Sequence, residues 1–251
     1  MSQSKDDPLV GSIFGLCAGL GLFWFGFHLR RKYKIIERTP TSKVRSLAIG
    51  LAEIQGKAEI FKEPLVSPFS QKPCVYYSYT VEQKKRSGKK TRWVTIASGK
   101  SESPFFVRDE TGVVTVLPEG AECHFDVDNR FRTGLFSSEQ EDQFKAGLTR
   151  IGVSYQGLFG DKTLRCQETL IAAGDNLYVL AEAQRRAAAT DSARNEDNLY
   201  MGKGAQKMCI FSDSSEKELL SSLKLQMYLF VYGGPVIALV CLYILLNRLG
   251  V

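Results

Sequence analysis

The sequence predicts an α+β protein: a β-rich soluble domain, barrel- or sandwich-like with a few helices, flanked by two transmembrane helices. Three observations carry that expectation. Two uncharged apolar stretches, Leu9 to Leu29 and Leu225 to Leu246, stand near the two ends of the 251-residue chain. Each has about the 20 apolar residues that crossing a hydrocarbon core requires. Between them, β-branched and aromatic residues alternate with polar ones, in runs separated by short turn signals. The expected organisation is a tail (1–8), a first span (9–29), a basic juxtamembrane linker (30–44), a soluble domain (45–224), a second span (225–246) and a tail (247–251).

The first stretch includes Phe14, Leu16, Leu20, Leu22, Phe23, Trp24, Phe25 and Phe27. It is longer than the apolar region of a signal peptide. Arg30, Arg31 and Lys32 follow it instead of a small-residue cleavage site, so it reads as a retained anchor. Gly11, Gly15 and Gly19 form a small-xxx-small stripe. Such a stripe suits close approach of the second span, or of a second protomer in a homo-oligomer. The second stretch contains Gly233, Gly234 and Pro235. A membrane helix tolerates this break because neighbours satisfy the freed backbone groups.

Basic residues set the expected orientation. Arg30, Arg31, Lys32, Lys34, Arg38, Lys43 and Arg45 follow the first span, whereas Lys5 stands alone before it. Lys217 and Lys224 precede the second span, and only Arg248 follows. The positive-inside rule therefore expects the soluble domain in the cytoplasm and both termini outside.

Within the domain, Leu47, Ile49 and Leu51 alternate with Ala48 and Gly50. Val75, Tyr77, Tyr79 and Val81 alternate with Tyr76, Ser78, Thr80 and Glu82. Lys84 to Lys90, centred on Ser87-Gly88, reads as a polar hairpin loop before Arg92 to Ser98. Phe105–Val107 and Val113–Leu117 flank Asp109-Glu110-Thr111-Gly112, a second hairpin signal. Cys166–Ala172 and Leu177–Leu180 flank Ala173-Gly174-Asp175-Asn176, a third. Ser138-Glu139-Gln140-Glu141 is a capping box, followed by Phe144, Leu148 and Ile151 at helical spacing. Ser212 to Glu216 reads as the start of a helix that carries Leu219, Leu220 and Leu223 towards the second span. Ala181 to Asn198, rich in Ala, Arg, Asp and Asn, reads as a mobile insertion or a short exposed helix rather than core.

The net charge is +6. Much of the excess lies in the cluster after the first span (Arg30, Arg31, Lys32) and in the Lys84, Lys85, Arg86, Lys89, Lys90, Arg92 cluster. A basic rim facing anionic lipid is the economical reading, ahead of nucleic acid, for which no specific partner role is expected. Catalytic chemistry is not legible. Cys17 and Cys241 lie in the spans. Cys74, Cys123, Cys166 and Cys209 share no close spacing, and the histidines are His28 and His124 alone. Zinc sites want four Cys or His ligands, usually in close pairs. No nucleophile elbow or phosphate loop is present. No cofactor, metal or catalytic residue is expected from these patterns.

The ordered runs Ala52–Ala58, Leu65-Val66-Ser67-Pro68-Phe69-Ser70 and Pro73-Cys74-Val75-Tyr76-Tyr77-Ser78-Tyr79 resemble the GIDE family. Its soluble part is the BAM ("beside a membrane") domain. Trp93, the Phe106–Val116 hairpin, Arg165–Ile171, Gly174–Leu180 and Ile210–Asp213 extend the resemblance over roughly residues 45 to 225 and both flanking spans. In eukaryotes this architecture belongs to mitochondrial and chloroplast-envelope E3 ubiquitin ligases, in which a RING finger follows the second membrane helix. The resemblance therefore implies E3 ubiquitin transferase activity, by this chain or by a split ligase of which it is one component. Only five residues follow Leu246, and the RING ligands are missing. The expectation is accordingly a RING-less, prokaryotic form in the cell membrane, acting as a docking module for a membrane-associated protein. In the mitochondrial relatives the domain faces the intermembrane space, in conflict with the charge pattern here.

The family-motif positions singled out as candidate partner-binding residues are Ser67, Pro68, Pro73, Cys74, Tyr76, Tyr77 and Glu168. Ser67-Pro68 and Pro73 restrict the backbone around a loop. Cys74 reads as a small buried filler. For Tyr76, Tyr77 and Tyr79 two readings stand open, core packing and a recognition groove for peptide or lipid. Glu168, an acid in mid-strand, either pairs with Arg165 or lines a pocket.

Overall fold

A computed structural model describes residues 8–88, 90–133, 138–157, 160–185, 199–204, 208–213 and 216–249. It divides into two compact units, residues 1–40 with 215–251, and residues 41–214.

The first unit is a helix pair, α1 (Pro8–Arg38) and α3 (Glu216–Leu249). Both are long and apolar enough to cross a membrane: an 18-residue stretch within Val10–Arg38 has mean hydropathy 1.8, and one within Leu220–Asn247 has 2.4. Helix α1 continues past Leu29, so Arg30 to Arg38 are helical and not linker. No Gly or Pro interrupts this stretch, and Tyr33 donates to Glu37 at 2.9 Å across one turn. Pro40 disfavours helix at Thr39 and closes it. The two helices meet at small residues. A Cβ on Gly15 would strike the sulfur of Cys241. One on Gly19 would lie 2.7 Å from the Gly234 carbonyl oxygen. Gly26 faces Val231, whereas Gly11 has nothing within 4 Å. Two of the three glycines in the predicted stripe therefore pack within one chain.

The second unit is built on a closed barrel. Strand β1 spans Gly50–Glu59; β2 (Leu65–Val66) and β3 (Pro73–Cys74) form a small ladder. Then come β4 (Tyr76–Ser87), β5 (Lys90–Lys100), β6 (Phe105–Arg108), β7 (Val113–Val116), β8 (Glu122–His124) and β9 (Asn129–Arg132). Helix α2 (Ser138–Arg150) precedes β10 (Gln156–Gly157), β11 (Gly160–Asp161), β12 (Leu164–Ile171), β13 (Asn176–Arg185), β14 (Leu199–Gly202) and β15 (Cys209–Ser212). Five strands close the ring in the order β1-β6-β7-β14-β13 and back to β1. Ile54, Phe105, Val107, Val116, Val179, Ala181 and Met201 fill it and are fully buried. Each larger apolar side chain contributes ~1.5–3 kcal/mol on burial. Strand β15 shares the β14 edge of β13, and β8 adds to it in parallel.

A second sheet, β5-β4-β12-β9, stands beside the barrel. Its inner face carries Val81, Leu164, Cys166 and Phe131. Helix α2 covers that face with Phe144 and Leu148, both fully buried.

Several sequence expectations are corrected. Leu47, Ile49 and Leu51 do not share a strand face. A 3-10 turn at Val44–Ser46 precedes β1, which starts at Gly50 with φ +118. That glycine resets the alternation, so Ala52 and Ile54 point inward and Ile49 is exposed. Lys84 to Lys90 is not a loop. The β4–β5 ladder runs to Ser87↔Lys90. The third hairpin does not form. Strand β12 pairs with β4 and β9, while β13 pairs with β1, β14 and β15. Gly174, at φ +96, instead carries the chain from one sheet to the other and donates to Ala58 at 2.8 Å. Ala181 to Arg185 belong to β13, not to an insertion; 186–198 lie outside the described residues. Ser212 ends β15, and α3 begins at Glu216.

Candidate functional site

The candidate motif residues gather around one loop. Ser67 to Lys72 turns back on itself, with the Ser67 N–H donating to Lys72 (3.1 Å) and the Ser67 and Ser70 hydroxyls 2.7 Å apart. Pro68 fixes φ at the entry. Gln71 takes a positive φ of 57° and donates its amide to the Ser67 carbonyl at 2.6 Å. Phe69, fully buried, plugs into the second core against Tyr79, Phe131 and Phe144. Gly147 of α2 leaves it room, since a Cβ there would lie 2.5 Å from the Phe69 ring.

Glu168 holds this plug from below. It is wholly buried on β12 and accepts the N–H groups of Phe69 (3.0 Å) and Ser70 (3.1 Å) and the amide of Asn129 (3.4 Å). From above, Gln143 donates to the Phe69 carbonyl at 3.0 Å and Arg150 to the Pro68 carbonyl at 2.8 Å. Glu168 does not pair with Arg165, which donates to Glu82 at 2.6 Å. Residues three apart on a strand point to opposite faces, which forbids the expected pairing. Pro73 is exposed, whereas Cys74 is buried beside the Leu65 carbonyl (3.6 Å). Burial first, and then the Glu168 charge, push the Cys74 thiol up to about 11, an unreactive state at neutral pH.

The tyrosines separate. Tyr76 is fully buried in the barrel core, its hydroxyl 3.0 Å from the sulfur of Cys123. Burial, with this contact, raises its pKa far above the usual value. Tyr77 is half-buried, its N–H donating to the Ser101 hydroxyl at 3.1 Å, and Tyr79 packs on Phe69. Glu53, buried on β1, accepts the Thr41 hydroxyl (2.6 Å) and the Tyr178 hydroxyl (2.9 Å). Near the end of the barrel a cleft of about 450 Å³ is lined by Ile60, Phe61, Lys62, Glu63, Leu65, Val75, Ser103, Pro104 and Phe105. Among the described residues no group of three or more His, Cys, Asp or Glu side chains is placed to hold a metal.

The family profile for GIDE, described as E3 ubiquitin ligase, matches residues 76–246. The chain belongs to the GIDE family. No curated protein and no solved structure matches it. Of the motif residues, Tyr76, Tyr77 and Glu168 fall within the matched span of this GIDE protein, whereas Ser67, Pro68, Pro73 and Cys74 precede it. The match takes in the second sheet, most of the barrel and most of α3.

The basic candidates of the GIDE protein occupy two places. Arg30, Arg31 and Lys32 lie on the last turns of α1. Arg30 and Arg31, with Lys34 and Arg38, line a shallow cleft of about 750 Å³ whose apolar wall is Phe27 and Ile35. Lys84, Lys85 and Lys90 are exposed on the β4–β5 hairpin strands, and Lys89 lies outside the described residues. Three arginines outside the basic clusters of the sequence reading join this hairpin. Arg165 stacks 4.4 Å from the Trp93 ring, Arg132 lies 5.4 Å from it, and Arg130 is exposed two residues before. The signal for two of them was present as the alternation Arg130-Phe131-Arg132, one arginine on each side of a core residue.

Proposed function

We propose that this GIDE protein is a docking module, held beside a bilayer by two membrane-crossing helices, that presents its β-domain to a membrane-associated protein partner. The observation that carries this reading is the use made of its polar side chains. Among the described residues no buried side-chain nitrogen or oxygen lacks a hydrogen-bond partner. Glu168, Glu53 and Tyr76 tie loops and strands together, which leaves surfaces rather than a reactive cluster. The basic end of α1 supports placing the β-domain on the cytoplasmic side of a prokaryotic cell membrane, with Arg30, Arg31 and Lys32 at the anionic lipid surface.

Pull-down of the full chain from crosslinked membranes tests the reading, with a reproducible protein partner expected. A second reading, ubiquitin transfer, is favoured by the family match. Ubiquitin conjugation by the purified full chain with E1 and E2 alone would support it and overturn the binding reading.

A further inference from the structure

The outer face of the β5-β4-β12-β9 sheet bears one sign of charge. Pairing registers place Glu82 beside Arg165 and Arg165 beside Arg132 in one row across three strands. The next row towards the hairpin tip joins Lys84 to Trp93, and the one beyond joins Arg86 to Thr91. In the opposite direction Gln167 pairs with Arg130. Val81, Cys166 and Phe131, at the alternate positions, point the other way into the core under α2. Lys84, Arg86, Arg130, Arg132 and Arg165 therefore share a face on which Glu82 is the one carboxylate among the described strand residues, already engaged by Arg165 at 2.6 Å. Near Tyr76 and Ile171 the barrel core covers the same sheet; at the Arg86 and Arg130 ends it is open.

We propose that this stripe, from Arg86 over Lys84 and Arg165 to Arg132 and Arg130, docks an extended acidic segment of a partner polypeptide. The inference rests on the docking reading above and names the surface and the chemistry of the partner. Charge complementarity selects an anionic ligand. Four of the five cations are arginines, whose planar forks bind carboxylates bidentately. Stacking on Trp93 holds two of the guanidinium groups in place before any ligand arrives. That cover also discriminates among anions. A ring lying under Arg165 is not available to stack a nucleobase, nor to enter a bilayer interface as a lipid-facing tryptophan does. The repeat fits a polypeptide. Lys84 and Arg86 on β4, and Arg130 and Arg132 on β9, are two residues apart on strands, about 6.8 Å. Alternate side chains of an extended acidic segment recur at the same interval.

The test uses the full chain in neutral phosphatidylcholine nanodiscs and a fluorescein-labelled Glu-Ser octapeptide, read by anisotropy. The glutamate peptide should bind at least tenfold more tightly than its Gln-Ser counterpart, and added salt should weaken it. Lys84→Gln, Arg86→Gln and Arg130→Gln, all at exposed positions, should together reduce affinity at least tenfold with an unchanged unfolding temperature. Arg130→Lys, which keeps the charge and loses the fork, should bind less tightly than the parent and more tightly than Arg130→Gln. Absence of binding, equal binding of the Gln peptide, or full binding by the triple variant would overturn the proposal. So would stripe-dependent binding of oligo-dT or of phosphatidylserine vesicles tighter than that of the glutamate peptide. Crosslinked pull-down from membranes separates the two levels. A partner retained by the triple variant sinks the stripe and leaves the docking reading intact; no partner on the parent chain sinks the docking reading itself.

Discussion

Glu168→Ala removes the side chain through which β12 hydrogen-bonds the backbone of the Ser67–Lys72 loop. The carboxylate accepts two backbone N–H groups, from Phe69 and Ser70, and one side-chain amide, from Asn129. A hydrogen bond to a charged acceptor contributes ~1.5–3 kcal/mol, so the two backbone bonds together contribute about 3–6 kcal/mol. Part of this is offset, because the variant no longer keeps a charge out of water. A net loss of about 3 kcal/mol follows. For a chain of this size 1 kcal/mol corresponds to ~2–4 °C, giving a fall of roughly 6–12 °C in the unfolding midpoint. Tryptophan fluorescence of the full chain in detergent reads the midpoint. Hydrogen exchange at Phe69 and Ser70 reads the loop itself. Glu168→Gln keeps one acceptor oxygen but sets an NH2 donor against the other N–H, so it should lie between parent and Ala. An Ala variant that unfolds within about 2 °C of the parent and keeps both amides protected would refute the reasoning.

Three further expectations are independent of that one. Burial works to raise the Asp109 pKa, but N–H groups of Val44, Thr111 and Gly112 and the Thr111 hydroxyl outweigh it, so the folded value lies below the ordinary one. Its contribution is present above the unfolded pKa of about 3.9 and is lost as pH falls through the folded value, so Asp109→Ala should cost ~1–3 kcal/mol at pH 7, with the gap to the parent closing below pH 4 in denaturant titrations. Gly147→Ala should lower the midpoint through collision with Phe69, and most of that cost should vanish in a Phe69→Ala background, as a double-mutant cycle would record. An ideal Cβ on Gly15 lies 3.5 Å from the Cys241 Cβ, within disulfide range, so Gly15→Cys should crosslink within one chain on mild oxidation; a dimer band on a non-reducing gel would contradict the intrachain helix pairing.

Elements set by local pattern were legible in the sequence. The apolar spans, the Phe105–Val116 hairpin with its Asp109-centred turn, the start of β4 and the Phe144/Leu148 face of α2 all follow from spacing within a few residues. What escaped depends on distant pairing. Closure of the barrel joins β1 to β13, well over a hundred residues apart, and nothing in either strand specifies its partner. The Ala173–Asn176 turn has hairpin chemistry, yet its flanking strands belong to different sheets, because β12 is claimed by β4 and β9. Glu168 looks like an acid misplaced in a strand until Phe69 and Ser70, almost a hundred residues earlier, arrive as its donors. The arginine stripe is assembled from β4, β9 and β12 and exists only once the sheet does.

The account rests on two crossings that leave the β-domain on one side of the membrane and both chain ends on the other. Single cysteines introduced as Ser4→Cys, Ser98→Cys and Val251→Cys, each labelled with a membrane-impermeant maleimide in sealed vesicles of known sidedness, test it directly. Ser98 is exposed on β5; of the four native domain thiols Cys74, Cys166 and Cys209 are buried, and the half-buried Cys123 is replaced by Ser in all three variants. Labelling of the two terminal sites from the outer face, and of the Ser98 site only from the cytoplasmic face, is the predicted result. Labelling of all three from one face would mean that neither helix crosses, and would contradict the account.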